Sequence, residues 1–350
     1  MIFRKKDILG LDIGSKHIKV VHLKDVKGRY QLERLGIATL EPELIVDGSI
    51  LDSSRVIEAI NGLISNTNIK IKDTVLSLSG HSSVIIKRVS FQQMSEDELA
   101  ESIKFEAEQY IPFDLEDVNL DFQILGPGDK ENMMDVLIVA AKKDKINEYV
   151  TVAKGAGLNP LIVDVDAFAL ENMYELNYEM KMDENVALVN IGASMININI
   201  LKGGISVFTR DSAVGSNLHT EALQKEFTIS YANAEKLKQE GQMEGISQED
   251  MKAVLVSASE DIIAEISRSF DYFRDTTNYE NINEIILCGG GALTAGFMPL
   301  LTDRFGVNTT MAESLKNIII PDSFDKDYLK KVEPIISVAV GLALRRLGDK

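Results

Sequence analysis

The sequence is short of cysteine, of basic charge and of uninterrupted apolar runs, and each shortage removes a class of protein. Cys288 is the only cysteine among 350 residues, so no internal disulfide can form, which fits a reducing compartment and argues against a secreted, stapled scaffold. Lys and Arg number 37 against 54 Asp and Glu, a formal net charge of −17. Nonspecific nucleic-acid binding needs a basic surface to release phosphate counterions, and this balance opposes it. The longest charge-free stretch, 285–302, contains Gly289, Gly290, Gly291, Gly296 and Pro299, which fit a buried strand, a tight turn and a helix rather than a membrane span. The start, MIFRKKDILGLDIG, has its apolar run broken by Asp7 and Asp12 and does not read as a signal peptide. No GxxxxGK[ST] is present, and GLDIGS lacks the glycine-rich turn into a helix that GxGxxG requires.

What is present describes a soluble globular chain, 45% hydrophobic and 26% charged, long enough for two or more lobes. A cytoplasmic location is expected. Charge is unevenly spread. Residues 1–30 hold eight basic side chains against three acidic ones, a local +5, while residues 92–135 hold thirteen acids against Lys104 and Lys130, a local −11. Solvated surface accounts for both strips; the sharper reading has the first face an anionic surface and the second receive a basic partner segment.

Hydrophobic patterning exposes a duplication. ILGLDIG is a short apolar run ending in a glycine turn, followed by the strand HIKVVHL, the turn VKGR and the strand YQLERLGIATL. About 178 residues later NVALVNIG, MININIL, KGG and ISVFTR repeat that order. Two strand-glycine meanders, each opening half of the chain, predict two related lobes facing one another. Between them, SSRVIEAINGLIS reads as an amphipathic helix and TVLSLSG and VIIKRVSF as strands. Ser95 and Glu98 form a capping box for a helix carrying Leu99, Ile103 and Ala107 and stopping before Pro112. The strand MDVLIVAAK, a helix over about 144–155 and the strand LIVDV complete an α+β insert of about 120 residues. After the second meander come amphipathic helices at SNLHTEALQKEF and YANAEKLKQEG, and a long helix opening at a Ser cap in SQEDMKAVL. The strand of NEIILCGGG and a closing helix, EPIISVAVGLALRRL, follow, with Arg345 and Arg346 complementing that helix's dipole.

Three strands thus end in glycine, at Gly14, Gly192 and Gly289 to Gly291. Such turns present backbone amides to an anion with no side chain between. One alone is usually only a turn; three, with a duplicated meander, point to a nucleotide held between the lobes. The Ser15 hydroxyl and nearby amides suit phosphates, and Asp12, at the end of a buried strand, needs a cation or ligand partner and could orient water on magnesium. His17, His22, His81 and His219 are scattered without ligand spacing. Cys288 reads as core. Tyr110, Ile111 and Phe113 fit equally a partner-peptide groove lip or plain core.

GLDIGSKHIKVV, VSFQQMSEDELAESIKFEAEQYIPFD, DVDAFALENMY, LVNIGAS and ILCGGGALTAGF together resemble the PilM family of actin-like type IV pilus assembly proteins, relatives of the division protein FtsA. The resemblance runs nearly end to end and is most specific in EAEQYIPFD. It implies an α/β, actin-like two-lobed fold, with duplicated RNase H-like lobes and an FtsA-type α+β insert in the first. The first lobe would comprise residues 1–40 with 160–184 and 332–350, the insert 41–159, and the second lobe 185–331 with a helical subdomain over about 214–265. ATP and magnesium would lie between Gly14, Ser15, Lys16 and Gly192, Ala193, Ser194, with Asn190, Gly215, Gly289, Gly290 and Gly291 lining the nucleotide and Asp12 serving both the metal and catalysis. AEKLK matches the family's ExxK pair, placing Glu235 and Lys238 near the ribose, and Asp166 aligns with a water-positioning acid. Implied partners are PilN, through a short cytoplasmic N-terminal peptide in a groove between first lobe and insert, other pilus platform proteins, the assembly ATPase and further copies of the chain. The implied setting is the cytoplasmic face of the inner membrane, in pilus biogenesis and twitching motility.

Two departures bear on chemistry. Asn190 stands where the superfamily usually has a metal-facing Asp, and Met195 and Ile196 replace small hydroxylated residues. An amide is no carboxylate base, so nucleotide binding with at most slow ATPase activity is expected. The alternatives are a sugar or metabolite kinase of the superfamily, for which no general base beyond Asp12 and Asp166 is evident, and an FtsA-like division protein, disfavoured because LRRLGDK is not an amphipathic membrane helix.

Overall fold

The computed structural model describes residues 7–80, 82–128, 130–277, 279 and 281–349. The basic side chains at 4–6, His81, Asp129 and Lys350 lie outside these residues. In chain order the elements are β1 (Leu9–Ile13), β2 (His17–Val26), β3 (Arg29–Thr39), the short pair β4 (Ile45–Val46) and β5 (Ser49–Ile50), α1 (Ser53–Asn66), β6 (Asp73–Leu78), β7 (Val84–Gln92), α2 (Glu96–Ala107), β8 (Val118–Pro127), β9 (Met133–Lys142), α3 (Lys143–Gly155), β10 (Asn159–Val165) and α4 (Asp166–Asn177). Then follow β11 (Asn185–Ile191), β12 (Ile196–Lys202), β13 (Ile205–Ser212), α5 (Asn217–Phe227), α6 (Tyr231–Glu240), α7 (Gln248–Thr276), β14 (Glu284–Cys288), α8 (Phe297–Phe305), β15 (Asn308–Met311), α9 (Lys326–Val332) and α10 (Ser337–Leu344).

The duplication is exact in topology. The first sheet has the order β10-β6-β1-β2-β3 and the second β15-β14-β11-β12-β13. In each, an antiparallel three-stranded meander continues into two parallel strands. Strands buried on both faces read as continuous apolar runs; β14 does so after Glu284, and β1 is buried throughout although Asp12 interrupts its run. Helices α4 and α10 are sandwiched between the sheets in one apolar cluster that includes Val21 and Val75 of the first sheet and Val186, Leu188 and Ile286 of the second. Helices α1 and α3 cover the outer face of the first sheet, and α7 and α8 that of the second. The whole is an actin-like α/β fold.

The insert is smaller than 41–159. Strand β6 sits inside the first sheet, between β1 and β10, and α1 and α3 pack on that sheet. Only the sheet β7-β9-β8 with α2 forms a separate layer, around its own core of Leu99, Ile103, Val136 and Ile138. Sequence periodicity marked β6 as a strand but carries no record of which strands it pairs with. Within this layer Ile111 is buried core, while Tyr110, which meets Phe91 edge-on at 6.2 Å, and Phe113, whose ring centre lies 4.5 Å from the Lys142 ammonium, are half-buried and pack against that core. Strand β8 was not anticipated, because its alternate positions are exposed and it carries Asp121. At the C-terminus α10 ends at Leu344; Arg345 turns back to Asp164 (3.1 Å), while Arg346 donates to the Ala343 carbonyl (2.9 Å) and meets the helix end as expected. Among the described residues no helix is long and apolar enough to cross a membrane.

Candidate functional site

The first two glycine turns have the same hydrogen-bond geometry. Gly14 N–H donates to the His17 carbonyl at 3.1 Å, and Gly192 N–H to that of Met195 at 2.8 Å. Among the described residues the N–H groups of Ser15, Lys16, Ala193 and Ser194 have no protein acceptor, which leaves them for an anion. The turns meet across the lobes, where Ser194 Oγ donates to Ser15 Oγ at 2.8 Å. The third turn is set beside them by β14, which runs parallel to β11. A Cβ on Gly291 would lie 2.5 Å from Ile191 Cγ2, so only glycine fits there, whereas one on Gly290 would meet open space.

These turns enclose an interlobe cavity of about 110 Å³. Its walls bring together Asp12, Gly14, Ser15, Lys16, Asp166, Asn190, Gly192, Ala193, Ser194, Lys238, Gly289, Gly290 and Gly291. Gly215 and Glu235 are not wall residues. Gly215 lies under the second turn, where a Cβ would come within 2.7 Å of Met195 N. Glu235 stands behind the wall, paired with Lys16 of the first lobe and, at 2.8 Å, with Lys238. Burial would raise its carboxyl, but Lys238 and the bonds from Lys16 and Thr220 hold it well below the carboxylate range.

Asp12 is buried, and its partner is Lys19, whose ammonium lies 2.9 Å from Oδ2. The register of β1 and β2 places the two residues opposite one another. Lys19 was missed in the sequence, although strand alternation puts it on the same face as His17, opposite buried Ile18 and Val20. Asp166 opens α4 at the cavity wall. Burial, then the charge of Asp12, push its carboxyl up to about 7 against hydrogen bonds from Ser77 and Ser79. Burial and the charges of Lys19 and Lys16 hold His17 down at about 3, so it is neutral. Ser77, Ser79, Asn197 and Tyr149 also line the cavity and carried no sequence signal.

Among the described residues no group of three or more His, Cys, Asp or Glu side chains could hold a metal ion. Asp12 is engaged by Lys19, and the Asn190 amide donates to Asn197 Oδ1 at 2.9 Å. Magnesium commonly keeps several waters and takes one or two carboxylates plus substrate phosphates. On the cavity wall the carboxylates available to such an ion are Asp12 and Asp166.

A family model described as type IV pilus assembly protein PilM matches residues 10–347. The chain belongs to the PilM family. Its fold is similar to that of a solved PilM-PilN type IV pilus biogenesis complex, with 26% identity, 97% of this chain and 98% of that chain covered, and a TM-score of 0.84. Two more distant structures share the fold. The ethanolamine utilization protein EutJ of Carboxydothermus hydrogenoformans has 14% identity, coverage of 97% and 89%, and a TM-score of 0.58. MreB 5 of Spiroplasma citri, solved bound to AMPPNP, has 14% identity, coverage of 96% and 94%, and a TM-score of 0.54. As a PilM-family member the chain is an actin-like pilus assembly protein.

Proposed function

We propose that this PilM-family chain is a nucleotide-dependent scaffold that binds ATP between its lobes and the N-terminal peptide of PilN beside its insert. The observation that carries the first half is the convergence of three glycine turns on one cavity with Lys16, Lys19 and Lys238 around it. The free amides of Ser15, Lys16, Ala193 and Ser194 would cradle phosphates, Lys19 would neutralise their charge, and the Gly290 turn would flank the base. Magnesium, brought with the phosphates and held through water by Asp12, would supply further charge neutralisation. A cavity of about 110 Å³ is smaller than the roughly 300–1,000 Å³ of small-molecule sites. Binding therefore requires the lobes to part, breaking the Ser194–Ser15 and Lys16–Glu235 contacts. Turnover would be slow, because Asn190 offers no carboxylate and Asp166, titrating at about 7, is only partly ionised at neutral pH.

A groove of about 460 Å³ lies where the first lobe, insert and second lobe meet, lined by Leu78, Val84, Ile86, Val165, Ala167 and Arg210 among others. Its sides are β7 and β13, each paired on one edge only. Two edge strands over a lining of mixed character, with Leu78, Val84 and Val165 beside Lys87, Arg210 and Glu265, suit an extended peptide, which gains main-chain bonds from an edge and specificity from the side-chain pockets. The solved PilM-PilN complex supports PilN as its source. Bound to a membrane-anchored partner in this way, the chain would sit on the cytoplasmic face of the inner membrane. Titration calorimetry with ATP and magnesium tests the cavity: Gly290→Val, which adds bulk without a protein clash, should abolish binding, and unchanged affinity would sink the assignment.

A further inference from the structure

Two of the residues at which the second turn departs from the superfamily pattern, Asn190 and Met195, both lead away from the cavity toward the insert. Asn190 Nδ2 donates to Asn197 Oδ1 at 2.9 Å, and Asn197 Nδ2 donates to Asp211 Oδ1 at 2.9 Å. Asp211 then crosses to the other lobe, accepting at Oδ2 from the Gly80 N–H at 2.5 Å. The Gly80 carbonyl in turn accepts from the N–H groups of Ser83 and Val84, both at 2.9 Å, and so anchors the first residue of β7. Met195 runs alongside, since a Cβ on Gly80 would lie 3.2 Å from its terminal methyl. Asn190, Met195 and Asn197 line the nucleotide cavity, whereas Asp211 and Val84 line the peptide groove.

We propose that this chain of hydrogen bonds, with the Met195–Gly80 contact beside it, couples the two cavities, so that nucleotide between the lobes and peptide against β7 change each other's affinity. The inference rests on the nucleotide and peptide sites proposed above. Its physical basis is that a ligand at the second turn needs the lobes to part, which moves Asp211 relative to Gly80. Either the bond to Gly80 breaks, freeing the start of β7, or it holds and β7 is drawn along. Both alter one side of the groove. Thermodynamic linkage then requires the effect to be reciprocal, commonly on the order of 5- to 150-fold.

The test is titration calorimetry of the full chain with four measurements: ATP with magnesium, alone and with saturating synthetic N-terminal peptide of the cognate PilN, and that peptide with and without the nucleotide. The expected result is a matched change of about fivefold or more in both affinities. In Asn197→Ala, which cuts the chain but leaves the Met195–Gly80 contact, the ratio should fall toward one, whatever that substitution does to either affinity by itself. Affinities in the parent chain that ignore the second ligand, or coupling fully retained in Asn197→Ala, would overturn the relay while leaving both sites standing. A peptide that binds in neither nucleotide state would instead overturn the groove assignment. Amide hydrogen exchange of the parent chain over residues 83–92 decides the relay without any substitution: addition of ATP and magnesium alone should change it, and identical exchange would overturn the proposal.

Discussion

Asp166 is the residue whose charge state most directly reports the chemistry of the cleft. Its carboxyl is raised by burial and by Asp12 to about 7, against an ordinary value of 3.8. Between those two pH values the folded protein holds a proton that the unfolded chain releases, so this residue's contribution to stability falls as pH rises through the window. Asp166→Asn removes that loss. At pH 8 the variant should be more stable than the parent by roughly 1–3 kcal/mol, the difference shrinking toward pH 4, as read from urea midpoints at both. A constant difference would mean that Asp166 is ionised throughout. Asp12 was legible as a buried strand-end carboxylate in need of a cation. That the cation is Lys19, three positions past Lys16 of the glycine turn, emerges only when β1 and β2 are laid in register.

At the scale of elements, signals confined to a few residues were readable and signals that depend on distant partners were not. The capping box at Ser95 and Glu98 is present in both directions, and α2 buries the three residues its spacing marked, Leu99, Ile103 and Ala107. Ser95→Ala should cost about 1 kcal/mol in denaturant unfolding, because it orphans an amide at the helix start; no loss would show that this layer's packing alone fixes the helix. The meanders were legible because alternation bounded by glycine is a period-two signal within one segment. Membership of β6 in the first sheet was not, since parallel pairing joins residues far apart in sequence and depends on what fills the crossover. For the same reason the insert's extent was overestimated, while the three glycine turns, each local, were all located.

The whole molecule is closed on itself. Ser15 and Ser194 touch and Lys16 pairs with Glu235 at or near the proposed phosphate positions, while Asp211 reaches Gly80 beside the proposed peptide groove. Locking the lobes should therefore exclude nucleotide. A Ser15→Cys, Ser194→Cys double variant, oxidised to a crosslink, is expected to lose ATP binding and to regain it on reduction; Cys288, fully buried, offers no competing thiol. Binding undiminished by the crosslink would mean that entry needs no lobe motion. The shared core of α4 and α10 has a different implication, one that belongs to biosynthesis. Strand β1 leaves the ribosome more than 300 residues before α10, the helix packed in one cluster with the inner face of β1's sheet. For almost the entire period of translation the part of that face over β1 and β2, which α10 covers, lacks its native cover, even after α4 has emerged. The nascent chain must be shielded by chaperones or held in a provisional packing, and any product truncated before residue 337 would carry the same exposed surface into quality control.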